Sequence, residues 1–139
     1  MADQEIGLGD FLASWTETST DIKDAFVRFE KTLEKIDGVV FDFKARPGVS
    51  YSLRARHVNQ KKRNLFVMID VVDDDPDARW ISMCFYGDLI TDPEELGDIV
   101  PGGLLGEDGH CFDFSDGSDE MAEYLDKRLM EAAENSGKE

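Results

Sequence analysis

The residues best suited to chemistry lie in a short basic segment of an acidic chain. Between Phe43 and Ile69 there is no acidic residue, yet seven of the fifteen Lys and Arg side chains fall there. They are Lys44, Arg46, Arg54, Arg56, Lys61, Lys62 and Arg63. Guanidinium groups on a rigid strand bind carboxylate or phosphate through paired hydrogen bonds. Residues 44–63, called the basic hairpin below, are therefore a candidate site for an anionic group.

A small anionic ligand at the basic hairpin would meet residues of neighbouring strands. We expect Arg54 and Arg56 to supply the charge, Ser52 a hydroxyl group, and Tyr51 or Tyr86 a phenol. These residues are the candidate ligand-binding set.

Two other roles for the basic hairpin stay open. Its arginines could pair with neighbouring carboxylates such as Asp42 and Asp70 on a solvated face. They could instead contact a protein partner, and a second copy of the chain would serve, giving a homodimer. Residues 70–120 carry sixteen carboxylates and a single base, Arg79, so the two parts of the chain are complementary in charge.

A glycine-rich loop, residues 101–109, is the second candidate contact surface. A phosphate-binding loop needs backbone amides at a helix start and a lysine, but this loop runs into Glu107 and Asp108, which would repel an anion. We expect a shaped loop that covers the sheet edge or the mouth of a pocket. Its predicted partner-binding residues are Gly102, Gly103, Leu104 and Leu105.

Other kinds of site find little support in the residue spacing. His110 and Cys111 are adjacent on a predicted strand and so point to opposite faces, which prevents them from acting as one dyad or binding one ion. Cys84 lies in the middle of an apolar strand, where a thiol is inert. The carboxylate clusters lack the ligand spacing of an EF-hand. We therefore predict no catalytic residue, no metal site and no cofactor.

The elements that position these residues are read from apolar periodicity. Residues 39–86 predict four strands in two hairpins, and residues 110–114 predict a fifth strand. The third and fourth strands, 65–72 and 79–86, are almost continuously apolar, which is typical of strands covered on both faces. With a tight turn between them, Ile81, Met83 and Phe85 share a face with Arg54. A slip of one residue would reverse the fourth strand, and the sequence leaves this register open.

Two amphipathic helices flank these strands in the chain. Ile22, Phe26, Phe29 and Leu33 belong to one apolar stripe, and residues 121–133 form another. We predict a single α+β domain over residues 1–139, with a mainly antiparallel sheet of about five strands, an N-terminal helix and a C-terminal helix. Residues 1–18 are expected to be loosely ordered.

The overall charge limits the partners and the compartment. A net charge of −16 argues against nucleic-acid binding, which needs clustered Lys and Arg. No apolar run reaches the ~20 residues of a membrane span, and the acidic start lacks signal-peptide features. We expect a cytoplasmic protein in which Cys84 and Cys111 are reduced, packed thiols.

Three segments resemble parts of a small prokaryotic protein family of unassigned function. They are Arg46 to Arg54 (RPGVSYSLR), Arg79 to Tyr86 (RWISMCFY) and Ile99 to Gly109 (IVPGGLLGEDG). The resemblance implies an α+β domain and carries no activity.

The functional prediction from the sequence is a non-catalytic binding or interaction module that uses the basic hairpin and the glycine-rich loop. The alternative is an enzyme or sensor with an anionic-ligand pocket lined by Arg54 and Arg56. A third hypothesis, an acidic mimic of nucleic acid using the carboxylates of residues 73–77 and 88–98, is weakened by the basic hairpin.

Overall fold

The computed structural model describes residues 7–15, 21–75 and 77–139. Its three helices are α1 (Leu8–Ser14), α2 (Asp21–Glu34) and α3 (Asp119–Ser136). Its six strands are β1 (Val39–Arg46), β2 (Ser50–His57), β3 (Val67–Val72), β4 (Trp80–Tyr86), β5 (Asp98–Leu104) and β6 (Glu107–Phe114). All strand pairs are antiparallel, in the order β1-β2-β3-β4-β6-β5. The α+β class and the N-terminal and C-terminal helices are confirmed.

The sheet has six strands, not about five. The additional strand is β5, whose second half was predicted as a loop because it contains Pro101, Gly102 and Gly103. Such residues are tolerated on an edge strand, and β5 is at the edge, with a register shift between Val100 and Leu104. Its partner β6 begins at Glu107 rather than His110.

All three helices pack on the same face of the sheet, called the helix face below. One row of paired residues on this face runs Leu53, Ile69, Met83 and Phe112, and all four are fully buried. Helix α2 reaches this row through Phe29, whose ring lies 5.8 Å from that of Phe114. The opposite face, called the open face below, carries Asp42, Ser52, Arg54 and Asp70.

The register of β4 settles the alternative that the sequence left open. Ile69 pairs with Met83 and Val71 with Ile81, so Ile81, Met83 and Phe85 lie on the helix face. The tight-turn arrangement, which put them beside Arg54, is wrong. On the open face of these two strands, Met68 and Ser82 are half-buried.

Helix α1 is held by a cation between aromatic rings. The guanidinium carbon of Arg79 lies 5.3 to 5.6 Å from the ring centres of Phe11, Trp15 and Tyr51. Arg79 also pairs with Asp73 at 2.8 Å. The helix lies within the segment expected to be loosely ordered, of which residues 1–6 and 16–18 are outside the described residues.

The two cysteines form a disulfide, so the prediction of reduced thiols is wrong. Cys84 on β4 pairs directly with Cys111 on β6, and their Cα atoms are 4.1 Å apart. Opposite residues come this close at the non-hydrogen-bonded positions of an antiparallel pair. The cysteines therefore no longer support a cytoplasmic location, since disulfides are rare there. Among the described helices, none combines the length and apolarity that a membrane crossing requires.

Candidate functional site

Strands β1 and β2 form the strand part of the basic hairpin. The basic side chains of these strands, Lys44, Arg46, Arg54 and Arg56, lie on the open face. A three-residue connection joins the strands, and Gly48 within it takes φ 82°, a value that glycine adopts without strain. Arg54 follows Ser52 on the same face of β2, and its Nε donates a hydrogen bond of 3.2 Å to the Ser52 hydroxyl. Ser52 is itself buried, so this hydrogen bond holds the Nε end of the Arg54 guanidinium group in place.

Arg54 and Arg56 are not ion-paired with the carboxylates beside them. Asp42 is paired directly with Arg54 across the strands, and Asp70 is paired with Ser52. Within the described part of the chain, however, neither Arg54 nor Arg56 forms an ion pair. The role of a solvated face with internally paired arginines is therefore not the one observed.

Asp70 is an unusual neighbour of these arginines. Burial raises its pKa, although Ser52, Arg54 and Arg46 act to lower it. One of its carboxylate oxygens, Oδ1, is buried and has no hydrogen-bond partner. An unpartnered buried carboxylate oxygen is costly to the fold.

A cavity of about 240 Å³ connects the two surfaces that were predicted separately. The basic hairpin supplies both arginines, and the turn between β5 and β6 supplies Leu105. The lining residues are Phe41, Asp42, Arg54, Ala55, Arg56, Asn64, Leu65 and Leu105. The cavity is thus charged on one side and apolar on the other.

Leu105 is placed in this cavity by a strained turn. It takes φ 52° and the following Gly106 takes φ 89°, the left-handed pair of a two-residue hairpin turn. Asn, Asp or Gly is usual at the first of these positions, because a leucine there costs conformational energy. Its side chain is nevertheless 65% exposed, so burial in the core does not explain it. Strain of this kind suggests a functional constraint.

The other residues predicted in the glycine-rich loop support this turn. Leu104 is buried, and the backbone N–H of Gly102 donates to Asp108 Oδ1 at 3.1 Å. A side chain at Gly103 would collide with Val100. These residues shape the loop, and Leu105 is its member in the cavity.

Neither predicted tyrosine lines the cavity. Tyr51 lies on the helix face, stacked on Phe11 with 4.0 Å between ring centres. Tyr86 is buried beneath Arg63, whose guanidinium carbon is 4.2 Å from the ring centre. The alternation of side chains along a strand could have shown from the sequence that Tyr51 and Arg54 lie on opposite faces, since one position is odd and the other even.

Arg63 belongs to the basic hairpin, but its guanidinium group is paired with three carboxylates. It pairs with Asp88, Glu107 and Glu139 at 2.9 to 3.0 Å, and its side chain is only 7% exposed. Burial would lower its pKa, but the hydrogen bonds to Glu107 and Asp88 outweigh this and raise it. Its role is to join the β2–β3 connection to β6 and the C-terminal residues.

A polar cluster that the sequence reasoning missed lies on the other side of the sheet. Asp92 Oδ2 is 2.9 Å from His110 Nε2, and Asp92 Oδ1 accepts a hydrogen bond from the Tyr124 hydroxyl. The backbone N–H groups of Leu96 and Gly97 donate to the same carboxylate at 3.0 and 2.9 Å. With its oxygens satisfied, Asp92 is an anchor between loop, strand and helix rather than a base.

Comparison with known proteins adds no functional information. No protein-family model, no curated protein and no solved structure matches the chain. Residues 7–15, 21–75 and 77–139 contain no group of three or more His, Cys, Asp or Glu side chains that could hold a metal ion. The interpretation of the site therefore rests on its geometry.

Proposed function

We propose that the protein is a non-catalytic binding module that receives an acidic segment of a protein partner. The contact lies in the cavity between the basic hairpin and the β5–β6 turn. Arg54 and Arg56 bind a carboxylate of the partner, while Leu105, Leu65 and Phe41 contact an apolar side chain next to it. The observation that carries the proposal is the convergence of two arginines and a strained, exposed leucine on one cavity.

The state of the arginines supports this role. Neither has a carboxylate partner within the described residues, so no ion pair must break before a ligand binds. Arg54 is also held by Ser52, which reduces the side-chain entropy lost on binding.

The size of the cavity favours a peptide side chain over a free metabolite. Small-molecule pockets usually enclose about 300–1,000 Å³. At about 240 Å³, this cavity is large enough for one or two side chains and leaves little room for a whole cofactor. The exposed Leu105 at its rim extends the apolar contact beyond the cavity, as a protein partner would require.

Peptide binding tests the proposal directly. Short acetylated peptides that carry Glu or Asp beside Leu or Phe are titrated into the protein, and affinity is measured by calorimetry. We expect saturable binding, and a loss of about tenfold in affinity for each of Arg54→Ala and Arg56→Ala, because a charged hydrogen bond contributes roughly 1.5–3 kcal/mol. Leu105→Asn should also weaken binding while relieving the strain of the turn.

The matched control is the double variant Lys61→Ala, Lys62→Ala. It removes the same charge as the double variant Arg54→Ala, Arg56→Ala and comes from the same basic segment, but neither lysine lines the cavity. Equal losses of peptide affinity in the two double variants would show that the effect comes from overall charge, and this would contradict the proposal. Saturable binding of citrate or inorganic phosphate, with no peptide binding, would favour the alternative of a small anionic ligand.

A further inference from the structure

The outer edge of β1 is a regular strand edge without proline or a bulge. All eight residues of β1 pair in continuous register with β2, from Val39 with His57 to Arg46 with Ser50. Proteins protect edge strands with proline, a bulge or charged side chains, and β5 at the opposite edge has Pro101 and a register shift. Of these devices, β1 carries only charged side chains, Asp42 and Lys44 among them.

Hydrogen-bond alternation identifies the residues whose backbone faces this free edge. The Val58 N–H donates to the Gly38 carbonyl at 2.8 Å, so the even-numbered positions of the strand direct their backbone groups to β2. The N–H and C=O groups of Phe41, Phe43 and Ala45 consequently point outwards. No strand among the described residues pairs with them.

The charges beside Phe43 are arranged for self-pairing. Asp42 and Lys44 are both exposed and lie on the open face, one on each side of Phe43. We propose that β1 pairs antiparallel with β1 of a second copy about a twofold axis at Phe43. Each Asp42 then lies opposite Lys44 of the other copy, and each Phe41, 37% exposed in the monomer, lies opposite Ala45.

The charge pattern also selects this register over its neighbours. Shifting the twofold axis by one residue places either Asp42 opposite Asp42 or Lys44 opposite Lys44, and like charges directly opposite each other are destabilising. The axis at Phe43 gives two opposite-charge pairs. The charges of β1 are thus complementary to those of β1 in a second copy of the chain. The inference does not depend on the proposed cavity function.

Charge reversal tests the pairing by sedimentation velocity over a range of protein concentrations. We expect a monomer–dimer equilibrium in the unmodified protein. Lys44→Glu and Asp42→Lys should each shift it to monomer, because each creates two like-charge contacts. The double variant Asp42→Lys, Lys44→Glu should restore the dimer with the charges exchanged. Lys35→Glu, an exposed change of equal charge on the segment after α2, is the matched control and should remain dimeric.

Three results would overturn the inference: a monomer at every concentration, a dimer that survives both single reversals, or a double variant that stays monomeric while its circular dichroism is unchanged. Failure of the cavity proposal is detected separately, because peptide affinity is measured there and oligomeric state here.

Discussion

Asp92 shows at the scale of one residue how a loop without helix or strand is held to this fold. Burial would raise the pKa of its carboxyl group, but hydrogen bonds from Tyr124, Gly97, Leu96 and His110 outweigh it and lower the pKa from 3.8 to about 2. A carboxylate with a depressed pKa stabilises the folded state above its unfolded pKa, and this contribution disappears as the pH falls through the folded value.

Asp92→Asn is therefore expected to lower the free energy of unfolding at pH 7 by about 2 kcal/mol. Each carboxylate oxygen of Asp92 has two hydrogen-bond partners, one of them a backbone N–H, and the amide keeps only one acceptor oxygen. The backbone N–H of either Leu96 or Gly97 therefore loses its acceptor. Urea unfolding measures the effect, and the difference between the two proteins should narrow as the pH falls from about 4 towards 2. A difference independent of pH would contradict the role of the charge. Asp98→Asn, at an exposed position nearby, is the control and should change little.

Sequence reasoning did not find this cluster. Two of the N–H groups that bond to Asp92 are close by in the chain, those of Leu96 and Gly97, four and five residues later. His110 and Tyr124 could not be assigned to it, since they are 18 and 32 residues away and only the folded topology brings them together. Arg54 and Arg56 were predicted as site residues for the opposite reason: their charge contrast is visible along the chain itself.

At the scale of elements, the disulfide ties β4 to β6 and so closes the chain segment that contains β5. The two cysteines are 27 residues apart in sequence. In the chain-entropy model a loop of this length stabilises the folded state by about 3.5 kcal/mol. The β5–β6 turn that carries Leu105 lies inside the closed loop.

Reduction should therefore lower the midpoint of thermal unfolding by roughly 10 °C for a chain of this size. The measurement is calorimetry with and without a phosphine reductant, and mass spectrometry establishes the state of the thiols. The variant Cys84→Ala, Cys111→Ala should unfold at one temperature regardless of reductant. Equal midpoints for the oxidised and reduced protein would show that the bond does not stabilise the fold.

The elements also show where prediction from sequence reaches its limit. Five strands and the two long helices followed from apolar periodicity, because a half-buried strand and an amphipathic helix each have a fixed period. Strand β5 did not, since its residues are exposed up to Gly103 and leave no apolar alternation to read. The register of β4, and with it the Cys84–Cys111 pair, depended on the connection around Pro76. The amino-acid composition of that connection does not determine its geometry.

Over the whole molecule, the partners of buried ion pairs attract each other locally, whereas the excess of carboxylates produces a general repulsion, and salt acts differently on the two. The chain carries 31 acidic and 15 basic side chains, which gives the net charge of −16. Two buried cations, Arg63 and Arg79, have side chains 7% and 12% exposed and are paired with carboxylates. Salt screens such buried pairs far less than it screens the repulsion between exposed carboxylates.

Raising the concentration of NaCl should therefore raise the midpoint of thermal unfolding. The screening length falls from about 30 Å at 0.01 M salt to about 8 Å at 0.15 M, which weakens repulsion across the acidic surface. The variant Lys61→Glu, Lys62→Glu, more negative at exposed positions, should be less stable than the unmodified protein at low salt, and the gap should close as salt rises. Lys61→Arg, Lys62→Arg preserves the charge and should follow the unmodified protein. A midpoint that falls with salt would mean that exposed ion pairs, such as that of Lys62 with Asp88 at 3.7 Å, outweigh the general repulsion.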